Sequence, residues 1–191
     1  MRTFAALLLP PPTVAALAAV TGKLRTLPGA DRLRWTEEDG WHVTLAFYGA
    51  TGPEVLPELE TRLARVAGRR APFEVRAAGG GRFGDRVLWA GVNGDRQALS
   101  RLAAGASAAG RKAGVAHRES ARRFHPHVTL ARARGRSGGP DLAAHAAALE
   151  DFAGAPWQVT RLVLMRSVLP DGHTPGEQPR YTREGSWPLG R

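Results

Sequence analysis

Hydrophobic residues recur along this chain with two periods, one typical of strands and one typical of helices. Apolar runs predict strands over residues 3–9, 34–35, 41–48, 73–75, 87–92, 126–133, 159–168 and 181–187. Apolar residues at helical spacing predict helices over 14–27, 97–114 and 141–149, and a further helix that begins at Pro53. Thr13 and Asp141 are the expected caps of the first and last helices. This mixed order, with helices between antiparallel strands, predicts an α+β fold.

Two of the predicted strands carry the same four residues, His42-Val43-Thr44-Leu45 and His127-Val128-Thr129-Leu130. Because side chains alternate along a strand, His and Thr share one face while Val and Leu point into a core. A single histidine on a strand is more often structural than catalytic, but two copies at comparable places in two half-chains favour a common site. Two such strands facing each other would supply two imidazoles and two hydroxyls, which suit metal-free acid/base chemistry on a phosphate ester.

Composition narrows the class of partner. The 191 residues fit one compact domain or two tightly packed lobes, and 27 Lys+Arg against 17 Asp+Glu give a net charge of +10. Only Lys23 and Lys112 are lysines. Genome base composition can account for the scarcity of lysine, but it does not explain the positive sign. Because arginine binds phosphate bidentately and stacks on bases, we expect a polyanionic partner.

The chain has no cysteine, which excludes disulfides, thiolate zinc sites and a cysteine nucleophile. The run from Phe4 to Leu9 resembles the start of a secretory signal, but Pro10 to Pro12 interrupt it after a few residues. We therefore expect a strand, a proline turn and a helix here, in a cytoplasmic protein. No apolar stretch is long enough to cross a membrane, so no membrane partner is expected.

The segments Trp41 to Gly49 and Phe124 to Arg132 resemble the two signatures of the two-histidine phosphoesterase superfamily. Arg34-Trp35 before the first signature and Val87 to Val92 before the second resemble, within it, the bacterial and archaeal RNA 2′,3′-cyclic phosphodiesterases, also called 2′-5′ RNA ligases. The resemblance runs nearly end to end, although Trp41 stands where a smaller aliphatic residue is commoner. It implies one pseudo-symmetric, two-lobed domain over residues 1–191. Its antiparallel sheets would face a central cleft, with helices on the outside.

The resemblance also implies an activity. The expected reaction is hydrolysis of an RNA terminal 2′,3′-cyclic phosphate to a 2′-phosphomonoester, with a weak reversible 2′-5′ ligation, and no cofactor or metal is expected. His42 and His127 would be the catalytic pair, because imidazoles with a pKa of about 6.5 can act as acid or base near neutral pH. We assign His42 as acid and His127 as base, although pseudo-symmetry leaves the reverse order open. A monomer is expected.

Further site residues follow from this mechanism, from the basic residues around the second signature and, for Phe47, from the resemblance. Thr44 and Thr129 would bind the nonbridging phosphate oxygens, and Arg132, five residues after His127, would neutralise developing charge. Phe47 would help to hold the nucleobase, but in an unbroken strand it lies on the core face, so a packing role stays open. The remaining expected RNA contacts are His125 and the arginines around the second signature, Arg118, Arg122, Arg123, Arg134 and Arg136. For any one of these arginines, a solvated basic loop is the simpler explanation.

Three alternatives remain open from the sequence. His125 and His127 lie on one strand face, a spacing that zinc sites also use, but no third ligand stands out by its spacing. A non-catalytic RNA-binding module would need phosphate contacts but not two matched titrating groups. A phosphodiesterase acting on small cyclic nucleotides would keep the chemistry and change only the substrate.

Overall fold

The computed structural model describes residues 1–115, 124–134, 141–168 and 178–190. Within these ranges nine strands form one antiparallel sheet, accompanied by four α-helices, so the predicted α+β fold is confirmed. The strands are β1 (Arg2–Leu8), β2 (Leu33–Trp35), β3 (His42–Ala50), β4 (Phe73–Phe83), β5 (Val87–Gly94), β6 (His127–Ala133), β7 (Trp157–Val159), β8 (Arg161–Val168) and β9 (Arg180–Pro188). The helices are α1 (Pro11–Leu24), α2 (Leu56–Gly68), α3 (Arg96–Lys112) and α4 (Ala143–Ala147).

The strand order is symmetric about the centre of the sheet. Strands run in the order β7-β4-β5-β6-β3-β1-β8-β9, and β2 pairs with β6 off this path. The two strands that carry the repeated tetrapeptide, β3 and β6, are neighbours at the centre of the sheet. On its other side β3 pairs with β1, which comes before α1, and β6 pairs with β5, which comes before α3. The chain therefore builds strand, helix, signature strand and helix twice, as β1-α1-β3-α2 and as β5-α3-β6-α4.

The two halves join through a short contact between β3 and β6. The two strands pair at Val43, which lies opposite Val128. Both valines are fully buried and belong to the main hydrophobic core, which includes leucines of α1, α2 and α3. The helices therefore cover the face of the sheet that carries the valines. We call the opposite face, which carries His42 and His127, the open face.

The sheet is strongly curled, as the link between β7 and β8 shows. We expected one strand over residues 159–168, but only Thr160 separates two strands with different partners. Strand β7 pairs with β4 at one end of the sheet, whereas β8 lies between β1 and β9 at the other. A one-residue connection can join them only because the curl brings the two ends of the sheet together.

The starts of the helices are set by proline and by capping side chains, which hydrophobic periodicity alone does not locate. The first helix begins at Pro11 instead of residue 14, and Thr13 is buried inside it, so the expected Thr13 cap is wrong. Proline is suited to the first turn because it lacks an N–H there and has a fixed φ. Asp95 caps α3 by accepting a hydrogen bond from the Ala98 N–H at 2.8 Å. Asp141 accepts one from the N–H of Ala143, the first residue of α4, at 2.8 Å.

Candidate active site

The register of β3 and β6 places both repeated His-x-Thr pairs on the open face. Because Val43 and Val128 are paired and point into the core, their neighbours in each strand point the opposite way. In an antiparallel pair the residue before one valine lies beside the residue after the other. His42 is therefore placed next to Thr129, and His127 next to Thr44. Each imidazole has a hydroxyl of the other half beside it.

One ring nitrogen of His127 makes a backbone hydrogen bond, and the other is available for proton transfer. Its Nδ1 lies 2.6 Å from the backbone carbonyl oxygen of His125, so Nδ1–H donates and Nε2 carries the lone pair. The Phe83 ring meets the imidazole edge to face at 5.0 Å between centroids, and Trp89 lies at 6.2 Å. Burial lowers the pKa of His127, although the bond to the His125 carbonyl opposes that shift. The imidazole is therefore neutral near pH 7.

His42 has a matching environment on the other half of the sheet. Its ring lies 4.7 Å from Phe4 and 5.2 Å from Tyr181, and it donates a hydrogen bond to the backbone carbonyl of Gly40. Burial lowers the pKa of His42 to about 4, and the charges of His127 and Arg132 contribute to the shift. Each histidine is thus oriented by the carbonyl two residues before it and is walled by aromatic rings.

Two β-bulges change which side chains reach this face. Strand β1 pairs Ala5 with Ala46 and Ala6 with Thr44, which leaves Leu45 without a partner in β1. The same irregularity occurs in the second half, where β5 skips Leu130. A bulge inserts one residue and reverses the side-chain alternation beyond it. Both bulges fall on the fourth residue of the repeated tetrapeptide.

The bulges bring the fifth residue after each histidine onto the open face. Phe47 is 48% exposed and lies opposite Phe4, whose ring contacts His42. The core position expected for Phe47 from an unbroken strand is therefore wrong. Arg132 occupies the equivalent place in the other half and is exposed. The two halves thus offer a flat aromatic ring and a guanidinium at matching positions.

Arg132 is a cation whose charge acts on both imidazoles. Its charge lowers the pKa of His42 and of His127, and it acts on the Tyr181 hydroxyl as well. Although Arg132 is exposed as a residue, partial desolvation of its guanidinium lowers its pKa, and the Arg34 guanidinium at the paired position of β2 lowers it further. Two guanidinium groups side by side, with two neutral imidazoles, favour binding of an anion.

A second aromatic surface surrounds His125. Its exposed ring meets Trp89 edge to face at 4.5 Å and Phe83 at 5.7 Å. Trp89 can lie flat on the sheet because Gly81 has no side chain: a Cβ there would come within 2.5 Å of the indole ring. The glycine run in β4 thus makes room for an aromatic platform beside His127.

Comparison with known proteins identifies the family. The family model of the 2′-5′ RNA ligase superfamily matches residues 9–170, which include both histidine signatures. This chain belongs to the 2′-5′ RNA ligase superfamily.

Relatives within the superfamily agree in name. An RNA 2′,3′-cyclic phosphodiesterase of Geobacillus stearothermophilus is 36% identical over 102 residues, which cover 51% of this chain and 32% of that protein. One of Aeropyrum pernix is 30% identical over 139 residues, covering 72% of this chain and 78% of the relative. The matched segment therefore spans about a third of the Geobacillus protein's length.

Solved structures of two other proteins share the whole fold. The protein TT0787 of Thermus thermophilus superposes with a TM-score of 0.77 at 29% identity, covering 99% of this chain and 98% of that one. Escherichia coli LigT in its apo form gives 0.75 at 26% identity, covering 100% and 98%. The curled sheet described above is thus shared with both of these solved proteins.

The structure brings most of the sequence-predicted site residues onto one face. Arg134 follows the end of β6 and is exposed, beside Arg34. Arg118, Arg122, Arg123 and Arg136 lie outside the described residues. Sequence reasoning missed the ring neighbours Phe4, Tyr181, Phe83 and Trp89, and the second cation Arg34. Arg34 could have been found, because it lies on a short strand directly before the first signature; the aromatic residues needed the strand pairing.

Two kinds of feature are absent from the described part of the chain. There, no three His, Asp or Glu side chains come together as a group that could hold a metal ion. None of the described helices is long and apolar enough to cross a membrane.

Proposed function

We propose that this protein hydrolyses the 2′,3′-cyclic phosphate at the end of an RNA to a 2′-phosphomonoester, using His42 and His127 as acid and base without a metal ion. The observation that carries the proposal is the pair of imidazoles on one face, each oriented by a backbone carbonyl. The names of the superfamily relatives support the reaction class. The net charge of +10 supports RNA as the partner. The proposal takes the protein to be a monomer with one two-lobed domain that acts in the cytoplasm.

The reaction needs one proton removed and one proton supplied. The Nε2 lone pair of His127 accepts a proton from water, whose oxygen attacks phosphorus. The bond from phosphorus to the 3′ oxygen breaks, and protonated His42 gives its proton to that oxygen. The phosphate stays on the 2′ oxygen, with His127 charged and His42 neutral until protons exchange with solvent. With a 5′-hydroxyl end in place of water, the same steps in the same direction form a 2′-5′ bond, and their reverse cleaves that bond.

Neutral and charged donors around the pair stabilise the phosphorane-like transition state. The Thr44 and Thr129 hydroxyls, each beside one histidine, donate to the nonbridging oxygens. Arg132 neutralises the charge that builds on them, and such donors act strongly where water is excluded. Phe47, exposed on the same face, stacks on the terminal base. His125 and its aromatic platform, with Arg134 and the predicted Arg118, Arg122 and Arg123, contact the rest of the RNA.

The first test removes each histidine in turn. His42→Ala and His127→Ala should each lower kcat on a cyclic-phosphate RNA by about 100- to 10,000-fold, because each loses one proton carrier. The exposed Arg101→Ala on α3 serves as a control with wild-type activity. Turnover is followed in EDTA by chromatography that separates the 2′- and 3′-phosphate products. Full activity in either histidine variant contradicts the mechanism, as does a 3′-phosphate product.

A second substrate separates acid from base. Sulfur in place of the 3′ oxygen leaves as a thiolate and needs no protonation. His42→Ala should therefore turn over the thio-substrate nearly as fast as wild type, whereas His127→Ala should remain slow. The opposite pattern would exchange the two roles while leaving the rest of the proposal in place.

Metal independence has its own measurement. Activity should be the same after dialysis against EDTA as before it. Activity lost to EDTA and restored by zinc would replace the metal-free mechanism with a zinc site that includes His125 and His127.

A further inference from the structure

A groove of about 520 Å³ lies at the end of β2 and β6, next to the open face. It is lined by Arg25, Arg34, Trp35, Glu37, Ala133, Arg134 and Gln178. Three arginines and one glutamate give it a positive balance. A volume of this size lies within the usual range for ligand-binding pockets.

The groove is continuous with the active site through Arg34. In the β2–β6 pairing Arg34 lies directly opposite Arg132, so both side chains project from the same face of the sheet. The charge of Arg34 acts on Arg132 and on the Tyr181 hydroxyl, and Tyr181 in turn contacts the His42 ring. A ligand whose end sits between the two histidines can therefore continue along Arg34 into the groove.

Contacts with Trp35 and Glu37 position Arg25 in the groove. The Arg25 guanidinium lies over the Trp35 ring at 5.5 Å, and its only recorded ion pair among the described residues is a 3.9 Å contact with the exposed Glu37. Trp35 is itself fixed, because its indole N–H donates to the Ala30 carbonyl and its own carbonyl accepts from the Gln178 amide. Such a long, exposed ion pair contributes little, so Arg25 remains available to an anion.

We propose that this groove binds the backbone phosphates on the 5′ side of the terminal nucleotide, so that the protein acts on RNA chains in preference to cyclic mononucleotides. The proposal rests on the function proposed above and adds the part of the substrate that lies outside the reacting ring. Arg25 and Arg134 would each bind one phosphate. Arg34 would bridge the groove and the reacting end.

A second basic groove provides a matched control. Arg62, Arg65, Arg69, Arg70 and Lys112 line a groove of about 370 Å³ between α2 and α3. These helices pack on the buried face of the sheet, opposite the histidines. Removing arginines there changes the net charge by the same amount without touching the path from the active site.

The test compares two substrates in two double variants. Relative to wild type, Arg25→Ala/Arg134→Ala should lower kcat/KM on an octanucleotide with a cyclic-phosphate end by about 10- to 100-fold, since two charge-assisted phosphate contacts are lost. Its kcat/KM on a 2′,3′-cyclic mononucleotide should stay within twofold. Arg65→Ala/Arg69→Ala should match wild type on both substrates. Octamers with a DNA body and one terminal ribonucleotide should behave like RNA, because phosphates are what is bound.

Salt dependence and direct binding keep the outcomes separate. Fluorescence anisotropy gives the slope of log Kd against log salt for a 2′-phosphate-ended octamer. In Arg25→Ala/Arg134→Ala this slope should fall by about 1.4, because each lost contact with a single-strand phosphate removes about 0.7. Equal losses on both substrates, or no loss on the octamer, would overturn the groove assignment. If wild type turns over neither substrate, the proposed function fails, and an unchanged anisotropy slope would then reject the groove as well.

Discussion

At the scale of single residues, the active face depends on how the two imidazoles are kept neutral yet able to exchange a proton. Burial among aromatic rings lowers the pKa of both, and the carbonyl two residues upstream partly offsets this. A bound phosphate reverses the balance, because its negative charge favours imidazolium. The site therefore takes up a proton when the anionic substrate arrives, which is when an acid is needed.

This coupling predicts different pH profiles for the free and the occupied protein. Activity needs one histidine neutral and one protonated, so both profiles should be bell-shaped. The profile of kcat/KM reports the free protein, in which both pKa values lie below 6.5, so its falling limb should lie below pH 6.5. The profile of kcat reports the complex and should lie at higher pH. Steady-state kinetics at constant ionic strength provide the measurement, and a kcat/KM maximum above pH 7 would contradict it.

At the scale of elements, the two bulges decide which neighbours of the signatures become site residues. Strand alternation predicted correctly that His42 and Thr44 share a face opposite Val43. The same alternation failed three residues further on, at Phe47, because Leu45 is skipped in the pairing with β1. A bulge depends on the partner strand, which sequence periodicity does not contain. The sequence did contain one signal for the exposure of Phe47. Arg132 lies five residues after His127, as Phe47 lies five residues after His42, and an arginine at this position indicates that it faces away from the core.

The bulge at Leu45 makes a prediction about two adjacent aromatic residues. Phe47 is 48% exposed, so Phe47→Ala should change the free energy of unfolding by less than about 1 kcal/mol while raising KM for the cyclic-phosphate substrate. Tyr48 is buried and donates a hydrogen bond to the Ala106 carbonyl at 3.0 Å. Tyr48→Ala should therefore cost about 3–5 kcal/mol. Urea denaturation measures both, and equal destabilisation by the two variants would place Phe47 in the core.

At the scale of the whole molecule, curling one continuous sheet gives the protein both its core and its site. The valines at the centre unite the halves on the buried side, and the same register aligns the histidines on the other. Sequence analysis predicted the two halves from the repeated tetrapeptide and the alternation of elements. It did not predict the break at Thr160, because no glycine or proline marks a turn between β7 and β8, and the two strands are distinguished only by their different partners.

Because burial lowers the pKa of His42 and of His127 in the folded protein, the free energy of unfolding should decrease in acid. Lowered histidine pKa values mean that the unfolded chain binds more protons, so stability is full above pH 6.5 and decreases as the pH falls toward the lowered values. For His42, with a pKa of about 4 against 6.5 unfolded, the loss between pH 8 and pH 5 is about 2 kcal/mol. Urea denaturation at both pH values should show this loss, and His42→Asn should lose correspondingly less. Phosphate should offset more of the decrease in wild type than in the variant, because it favours the charged imidazole and only His127 remains in the variant. A wild-type stability that does not change between pH 8 and pH 5 would mean that His42 is solvated, and the dry, aromatic-walled site would then be wrong.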